Sequence, residues 1–365
     1  MSRIGKADQR FMAMALRLAR RARRRTWPNP MVGAVVVKRG RVVAGGYHQR
    51  AGRPHAEAEA LDRAGRRARG ADLYVTLEPC HRTGRTGPCT DLIKAAGIRR
   101  VVVGTKDPNP KESGRGLAVL RRSGIKVIAG VLEDECRALN EVYNVFITKR
   151  RPFILVKAAV SLDGRMAAYS GDARWISGKE SRRHAHRLRA QADAVLVGAG
   201  TVRKDDPSLN VRHVPGRNPA VVVLDSDLKI SGRARVFRVR RGAPVWVYSR
   251  KTDKQIAGAQ IIEVAGRGDL LDLRAVFRDL FKRGVHSLLV EGGSAVIGSL
   301  LRAKLVDRLD LQLAPRLLGA GGVPLGNWRG PKKVAKAPRL VDVRWRRRGD
   351  DMGCSGRLEW PGGKA

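Results

Sequence analysis

The stretch MVGAVVVKRGRVVAGGY, residues 31–47, decides the fold class, because two runs of small and β-branched residues flank the short turn KRG. Such runs predict two strands, 31–37 and 41–47, that pair as a hairpin. Helical spacing of apolar residues predicts a helix over 10–22, before the hairpin. After the hairpin, helices and strands alternate: helix 55–64, strand 73–77, helix 89–96 and strand 100–104. This alternation indicates an α/β layered domain.

A second α/β pattern follows the first. The first pattern ends with a predicted helix over 133–147, and between the two lies TKRRP, residues 148–152, which is charged and ends in proline, as is common in linkers. The strands predicted in the second half are 153–160, 194–200, 219–225, 244–249 and 287–293, with helices over 178–190 and 270–283. Since 365 residues is about twice the usual domain size, we expect two domains, 1–148 and 152–365.

Composition excludes several classes of protein. No apolar stretch approaches the roughly 18 residues that a membrane helix requires, and 43% of the residues are hydrophobic, as in ordinary globular proteins. The basic N-terminus carries Asp8 and continues directly into domain-like sequence, which favours a first helix over a transit peptide. Four cysteines without a secretory signal favour a metal or catalytic role over disulfides, and we expect none for Cys136 and Cys354. We expect a cytoplasmic protein without a membrane partner.

The net charge of +41, from 74 Lys and Arg against 33 Asp and Glu, is unusual. It indicates either attraction to nucleic acid and other polyanions or a general preference for arginine. The basic clusters RLARRARRR, RRARG and VRWRRR are interpreted as solvated helix faces without interleaved aromatic residues. We therefore expect nucleic-acid binding to be non-specific, if it occurs at all.

The segment RPHAEAEA, residues 53–60, places His55 two residues before Glu57 at a predicted helix start. Residues i and i+2 share no helix face, so these side chains converge only where a helix begins. Cys80 follows a predicted strand and Cys89 precedes the next helix. One imidazole and two thiolates are the ligand count of a catalytic zinc with an open fourth position, and Glu57 is then the proton shuttle.

Each of these residues alone has an ordinary structural explanation, but their order fits one signature. H-x-E followed by P-C-x-x-C is typical of zinc nucleobase deaminases, in which zinc activates water for attack on the ring carbon that bears the amine. Here eight residues, instead of two, separate Cys80 from Cys89. The order and residue types still favour a zinc site.

Seven segments extend the pattern over nearly the whole chain: PNPMVGAVVV, GYHQRAGRPHAEAEAL, YVTLEPC, GRTGPC, DPNP, GRG and SLDGRMA. In order and spacing they resemble the bifunctional deaminase-reductase family of riboflavin biosynthesis, in which the cysteines are also far apart. The resemblance implies a cytidine-deaminase-like first domain that deaminates a phosphoribosylated pyrimidine. It also implies a dihydrofolate-reductase-like second domain that reduces the ribosyl group to ribityl with NADPH.

The resemblance further implies roles for individual residues. Zinc is held by His55, Cys80 and Cys89, with Glu57 as proton donor. Contacts to the pyrimidine substrate in the first domain come from Asn29, His48, Arg85, Asp107 and Asn109. NADPH lies near Ala159, Trp175, Thr201, Asp205, Gly293, Ser294, Ala295, Val296, Ile297, Gly298 and Ser299. Substrate in the second domain contacts Arg189, Leu209, Arg212 and Glu291.

The residues of the second half allow some independent reasoning. GAGTVRKDDPSLNVR (198–212) and VEGGSAVIGSLL (290–301) include glycine turns after strands, where backbone N–H groups and a helix dipole hold phosphate well, although neither is a G-x-G-x-x-G fingerprint. Arg189 and Arg212 suit bidentate binding of a substrate phosphate. Because hydride passes directly from the cofactor to the sugar, the protein has to position the reactants and supply a proton. Lys157 and Asp205 are the polar candidates for this role. HAH, residues 184–186, is not expected to bind metal, since i and i+2 diverge on a helix.

The chain departs from the family pattern at His81-Arg82, where the family usually has Ser-His, and at Gly87, where it has proline. These changes predict altered substrate contacts with the zinc ligands retained. Two alternatives stay open: a transfer-RNA-type deaminase fused to an accessory domain, and an RNA-binding module with a structural zinc. The cysteine spacing and the ordered second domain disfavour the first, and three ligands instead of four disfavour the second. We expect a homo-oligomer that acts on a small phosphorylated pyrimidine.

Overall fold

The computed structural model of the protein describes residues 4–22, 25–82, 87–238, 242–267 and 270–362. The chain divides into two compact units, Met1–Arg150 and Arg151–Ala365. Each unit has a central β-sheet with helices packed against both faces. The α/β class predicted from the sequence is therefore confirmed.

The first unit is built on a five-stranded sheet of order β2-β1-β3-β4-β5. Its strands are β1 (Gly33–Lys38), β2 (Arg41–Tyr47), β3 (Asp72–Leu77), β4 (Arg100–Thr105) and β5 (Lys126–Ala129). Its helices are α1 (Lys6–Arg20), α2 (Ala56–Ala64), α3 (Cys89–Ala95), α4 (Arg115–Arg122), α5 (Glu133–Leu139) and α6 (Glu141–Lys149). The predicted hairpin is β1 and β2, and β3, β4 and β5 run parallel to one another.

The central strands β1, β3 and β4 of this sheet are buried because helices cover both faces. Apolar side chains of α2, α3 and α4 pack on one face, and those of α1 and α5 on the other. Helix α2 ends at Gly65, whose φ of +53° is a conformation that glycine adopts without strain. The arrangement brings the start of α2 near the carboxyl end of β3 and the start of α3.

The predicted continuous helix over 133–147 is wrong, because the structure divides it at Asn140 into α5 and α6. Asn140 leaves the helical conformation, with φ −114° and ψ 27°. Its buried side chain instead binds the backbone of Met31, a contact that no local sequence pattern shows.

The second unit contains a nine-stranded sheet of order β11-β10-β9-β8-β14-β6-β15-β18-β17 and the two-stranded pairs β12-β13 and β16-β7. Its strands are β6 (Phe153–Ser161), β7 (Arg165–Ala167), β8 (Ala194–Gly198), β9 (Ala220–Leu224), β10 (Val245–Ser249), β11 (Gln260–Glu263), β12 (Gly266–Arg267), β13 (Leu270–Leu271), β14 (Ser287–Val290), β15 (Arg308–Ala314), β16 (Val323–Pro324), β17 (Arg339–Arg348) and β18 (Asp351–Glu359). Its helices are α7 (Lys179–Gln191), α8 (Ala199–Asp205), α9 (Arg235–Arg238), α10 (Leu273–Lys282) and α11 (Ser294–Arg302).

Three predicted boundaries in this unit are wrong. The strand predicted over 287–293 ends at Val290. The strand predicted over 194–200 ends at Gly198, and α8 begins at the next residue. The helix predicted over 270–283 begins at Leu273, because Asp272 caps it by accepting a hydrogen bond from the Arg274 N–H at 2.8 Å.

The interpretation of VRWRRR as a helix face is also wrong. These residues, 343–348, lie in the edge strand β17, which pairs antiparallel with β18. Trp345 stands among the arginines with 62% of its surface exposed, so this cluster does contain an interleaved aromatic residue. The cluster RLARRARRR overlaps the end of α1, and its residues Arg23 and Arg24 lie outside the described part of the chain.

Among the described residues, none of the helices combines the length and the apolar character needed to cross a membrane.

Candidate active sites

The three predicted zinc ligands lie together in the first unit, each at the boundary of a secondary-structure element. His55 precedes α2, Cys80 follows β3 and Cys89 begins α3. His55 Nδ1 lies 3.2 Å from Cys89 Sγ and 3.6 Å from Cys80 Sγ. Ligands of a tetrahedral zinc lie roughly 3.5–3.8 Å apart, so the cluster fits this metal. It is the one group of three or more potential metal-ligating side chains found in the described ranges.

Glu57 lies in the first turn of α2, 4% exposed, beside the cluster. Burial raises the pKa of its carboxyl to about 7, against the opposing effect of His55. A group with a pKa near neutrality exchanges protons efficiently in either direction at neutral pH. Hydrogen bonds from Cys89 and His55 lower the pKa of Cys80, while the contact with Cys80 and burial raise the pKa of Cys89. The thiolate that a metal requires is thus favoured at Cys80.

Asn29 and His48 form a hydrogen-bonded pair near the cluster. His48 Nδ1 lies 3.0 Å from the Pro54 carbonyl oxygen and Nε2 lies 3.1 Å from Asn29 Nδ2. Because a carbonyl oxygen only accepts, Nδ1 carries the proton and Nε2 accepts from the Asn29 amide. Burial lowers the pKa of His48, which favours this neutral form. The Asn29 amide oxygen is then the atom that can accept a hydrogen bond from a substrate.

Asp107 and Asn109 lie in the loop after β4. Asp107 Oδ1 accepts from the Asn109 N–H at 2.8 Å and from the Tyr143 hydroxyl at 3.3 Å, while burial raises the pKa of Asp107 to about 6. Glu78, in the segment LEPC, holds this loop and the start of α4 by accepting from the backbone N–H groups of Asp107, Gly114 and Leu117 at 3.2, 2.8 and 3.1 Å.

Sequence reasoning missed Glu78 and Tyr143. A carboxylate directly after the predicted strand 73–77 was the signal available in the sequence for Glu78. At His81-Arg82, where the chain differs from the family pattern, His81 Nδ1 lies 2.9 Å from Glu112 Oε2, and Arg82 is exposed. Arg85, predicted to contact substrate, lies outside the described residues.

A cavity of about 600 Å³ lies in the second unit, beside the carboxyl ends of β8 and β9 and the start of α11. Its size is within the range of cofactor sites, and the first turn of α11 offers the backbone N–H groups that bind phosphate. The charged residues of the lining are the cations Arg203, Lys229, Arg274 and Arg302 and the carboxylates Asp225, Asp227 and Asp272, with Lys229 paired to Asp227 at 2.9 Å. The residues present thus fit an anionic dinucleotide such as NADPH.

The cavity contains part of the predicted NADPH set. Its lining includes Thr201, Gly293, Ala295, Val296 and Ser299. Other predicted members do not line it: Ala159, Trp175, Asp205, Ser294, Ile297 and Gly298. Trp175 is 63% exposed beneath the Arg182 guanidinium, which lies 4.4 Å from the ring centroid. Sequence reasoning missed Ser226 and Asp227 in the lining, although they directly follow the predicted strand 219–225.

Two of the predicted substrate residues form an ion pair that is largely shielded from solvent, with each side chain 12% exposed. Arg189 Nε and Nη2 donate to the two carboxylate oxygens of Glu291, both at 2.7 Å, and Nη1 donates to the Asn210 carbonyl at 3.2 Å. Burial alone would raise the pKa of Glu291, but Arg189 and then Lys157 bring it below its ordinary value. The guanidinium of Arg189 is therefore occupied by Glu291 and Asn210, and it does not offer the free pair of donors predicted for a substrate phosphate.

The other predicted residues lie nearby along the chain. Arg212 is exposed and donates to the Asn210 side-chain oxygen at 3.0 Å, and Leu209 is 2% exposed. Burial lowers the pKa of Lys157, while Glu291 partly restores it. The two histidines of HAH diverge as predicted: His184 Nε2 lies 3.0 Å from Asp310, and the His186 ring packs 4.5 Å from that of His213.

Comparison with known proteins identifies both units. Residues 5–105 match the model of the cytidine and deoxycytidylate deaminase zinc-binding region, and residues 152–353 match that of the RibD C-terminal domain. The chain is 45% identical over 324 residues to riboflavin biosynthesis protein RibD of Aquifex aeolicus, covering 87% of this chain and 90% of the relative. It is 40% identical over 363 residues to RibD of Escherichia coli, covering 94% and 98%.

The solved structures agree with the sequence relatives. A diaminohydroxyphosphoribosylaminopyrimidine deaminase/5-amino-6-(5-phosphoribosylamino)uracil reductase from Thermotoga maritima superposes with a TM-score of 0.83 and 39% identity, covering 96% of this chain and 99% of that one. A RibD structure from Acinetobacter baumannii gives a TM-score of 0.82 and 34% identity, covering 97% and 99%.

Proposed function

Because this chain belongs to the RibD family of riboflavin biosynthesis proteins, we propose how its own residues divide the work of the two reactions. The protein is a bifunctional deaminase and reductase of riboflavin biosynthesis, with zinc as the cofactor of the first domain and NADPH as that of the second. The observation that supports the assignment of residues best is the convergence of His55, Cys80 and Cys89 beside the buried Glu57.

In the deaminase, His55, Cys80 and Cys89 would hold the zinc. When bound, the metal supplies a Lewis acid that makes water nucleophilic at neutral pH. Glu57 takes up a proton at its carboxylate and delivers it to the departing amine, a role that its raised pKa favours. The Asn29 amide oxygen accepts a hydrogen bond from an N–H group of the pyrimidine.

In the reductase, Thr201 and the start of α11 would hold NADPH, which supplies a hydride when bound. Glu291, fixed by Arg189, orients the sugar hydroxyl groups. Lys157 is a half-buried cation whose pKa the charge of Glu291 affects, and it is proposed as the proton source at the sugar oxygen. Arg212, which is exposed, is left to bind the substrate phosphate in bidentate fashion.

The two alternative functions lose their support. A nucleic-acid deaminase with an accessory second domain would share relatives over the first domain alone, whereas RibD proteins match 87% and 94% of this chain. An RNA-binding module would need no cavity of the size found in the second unit.

A phosphorylated pyrimidine is the expected small-molecule partner, consistent with the family. We further propose that the protein acts in the cytoplasm as a homo-oligomer. Its net charge of +41 favours weak binding to polyanions that depends on charge and not on sequence.

The proposed domain boundary predicts that residues 1–148 and 152–365 fold as separate soluble pieces, because each contains its own sheet and core. We expect the first piece to release ammonia from the aminated pyrimidine and the second to oxidise NADPH with the deaminated product. Ammonia and NADPH absorbance assays on the two pieces test this, with the full chain as control. Failure of the second piece to bind NADPH or reduce that product would contradict the proposed boundary.

A further inference from the structure

Asn140, at the junction of α5 and α6, binds the backbone of a loop 109 residues earlier in the chain. Its Oδ1 accepts from the Met31 N–H at 2.8 Å and its Nδ2 donates to the Met31 carbonyl at 2.9 Å. The side chain is 6% exposed. Both polar groups of one residue in the loop are thus held by a single buried amide, which fixes the position and direction of the backbone there.

The loop that Asn140 holds carries Asn29, two residues before Met31. Asn29 donates to His48, and His48 donates to the carbonyl of Pro54, the residue before His55. Asn140 is therefore linked to the residue before the first zinc ligand by two sets of hydrogen bonds, Asn140–Met31 and Asn29–His48–Pro54, which the short chain segment 29–31 joins. Displacement of the Met31 backbone would move the Asn29 amide relative to the metal cluster.

The start of α6 also contacts the loop after β4, which carries the predicted substrate residue Asp107. Tyr143, one turn along α6 from Asn140 and 8% exposed, donates to Asp107 Oδ1 at 3.3 Å. Asp107 lies in the loop after β4, away in sequence from Asn29. Two neighbouring side chains at one helix start thus hold the loops that carry Asn29 and Asp107.

We propose that Asn140 is a positioning residue for the deaminase reaction, acting through Asn29, and that Tyr143 positions Asp107 in the same way. The proposal rests on the deaminase function proposed above. Asn140 does not reach the metal cluster itself, and its contribution is to hold the Asn29 amide oxygen where it meets the N–H group of the pyrimidine. A change at Asn140 should therefore weaken substrate binding more than the chemical step.

The test compares Asn140→Ala and Asn140→Asp with the wild-type full chain loaded with zinc. The aspartate keeps an acceptor for the Met31 N–H but places a second acceptor against the Met31 carbonyl, so it disrupts the contact with little change in volume. We expect the deaminase KM to rise about tenfold, the effect of losing one or two hydrogen bonds, with kcat changed less than about twofold. Zinc content and NADPH oxidation should be unchanged.

Asn144→Ala is the matched control, because Asn144 lies on the same helix and donates to the Arg137 carbonyl at 3.0 Å, outside both sets of hydrogen bonds. It should leave the deaminase KM unchanged. If Asn140→Ala unfolds, as a loss of zinc and a low Tm would show, Asn140→Asp decides. Tyr143→Phe, which removes only the hydroxyl, should raise the KM in the same direction.

Combination with Asn29→Ala separates positioning from a merely structural role. If Asn140 acts through Asn29, the KM of the double variant should equal that of Asn29→Ala, because the group being positioned is already gone. An unchanged KM in both Asn140 variants, or effects that multiply in the double variant, would overturn the proposal. Absence of ammonia release by the wild-type protein would instead contradict the proposed function, so the two failures are distinguishable.

Discussion

The Glu57→Gln variant should lose ammonia release by about 100- to 10,000-fold, the usual contribution of a positioned general acid-base, while it still binds one zinc per chain. Glutamine has the size of glutamate but cannot take up and return a proton. The three ligand atoms lie within 4.8 Å of one another without Glu57, so metal binding should persist. Ammonia assays and elemental analysis of the purified protein measure the two quantities.

Glu59→Gln is the control for that variant, because Glu59 lies on the same helix and binds Gln49 and Arg63 at 2.6 and 3.1 Å. It should retain deaminase activity. Both variants should oxidise NADPH with the deaminated substrate at the wild-type rate, since the reductase site is in the other unit. Retained deamination by the zinc-loaded Glu57→Gln protein would rule out the role assigned to Glu57.

Replacement of Glu291 by glutamine should both destabilise the second unit and abolish its reductase activity. Arg189 is 12% exposed and would be left without the carboxylate that now accepts two of its hydrogen bonds. Removal of one partner from a buried ion pair costs about 3–5 kcal/mol. Denaturant unfolding of the full chain, followed by a probe of the second unit, and NADPH oxidation assays measure both effects.

Glu359→Gln breaks a comparable but exposed pair, since Arg339 and Glu359 are 79% and 31% exposed. It should change the free energy of unfolding by less than about 1 kcal/mol. The pKa of Glu291 lies below its ordinary value of 4.5, so its contribution to stability is complete above that pH and is lost as the pH falls through the folded value. Equal destabilisation by the two variants would contradict the importance of the buried pair.

The deaminase cluster was predictable because its signals are local. His55, Cys80 and Cys89 each sit beside an element boundary that composition and spacing reveal. The arrangement of α/β elements was predictable for the same reason. By contrast, the contact of Asn140 with Met31 joins residues 109 positions apart, and no pattern near Asn140 indicates it.

Arginine content concealed other features of the second unit. Among 74 basic residues, Arg189 looks like surface charge in the sequence, and only tertiary structure pairs it with Glu291. The edge strand β17 is rich in arginine and exposed over most of its length, so its sequence does not show the alternation of apolar and polar residues that indicates a strand. Trp175 and five other members of the predicted NADPH set do not line the cavity; that set follows from the family resemblance and stays a prediction.

The central claim is that one chain performs two successive steps on one phosphorylated pyrimidine. Its most direct test is identification of the products after the zinc-loaded full chain is incubated with the aminated ribosyl substrate, with and without NADPH. Without NADPH, we expect release of one ammonia per substrate and accumulation of the deaminated ribosyl compound. With NADPH, we expect the deaminated ribityl compound and one NADPH oxidised per ammonia. Absence of ammonia release, or oxidation of NADPH without formation of the ribityl product, would contradict the account.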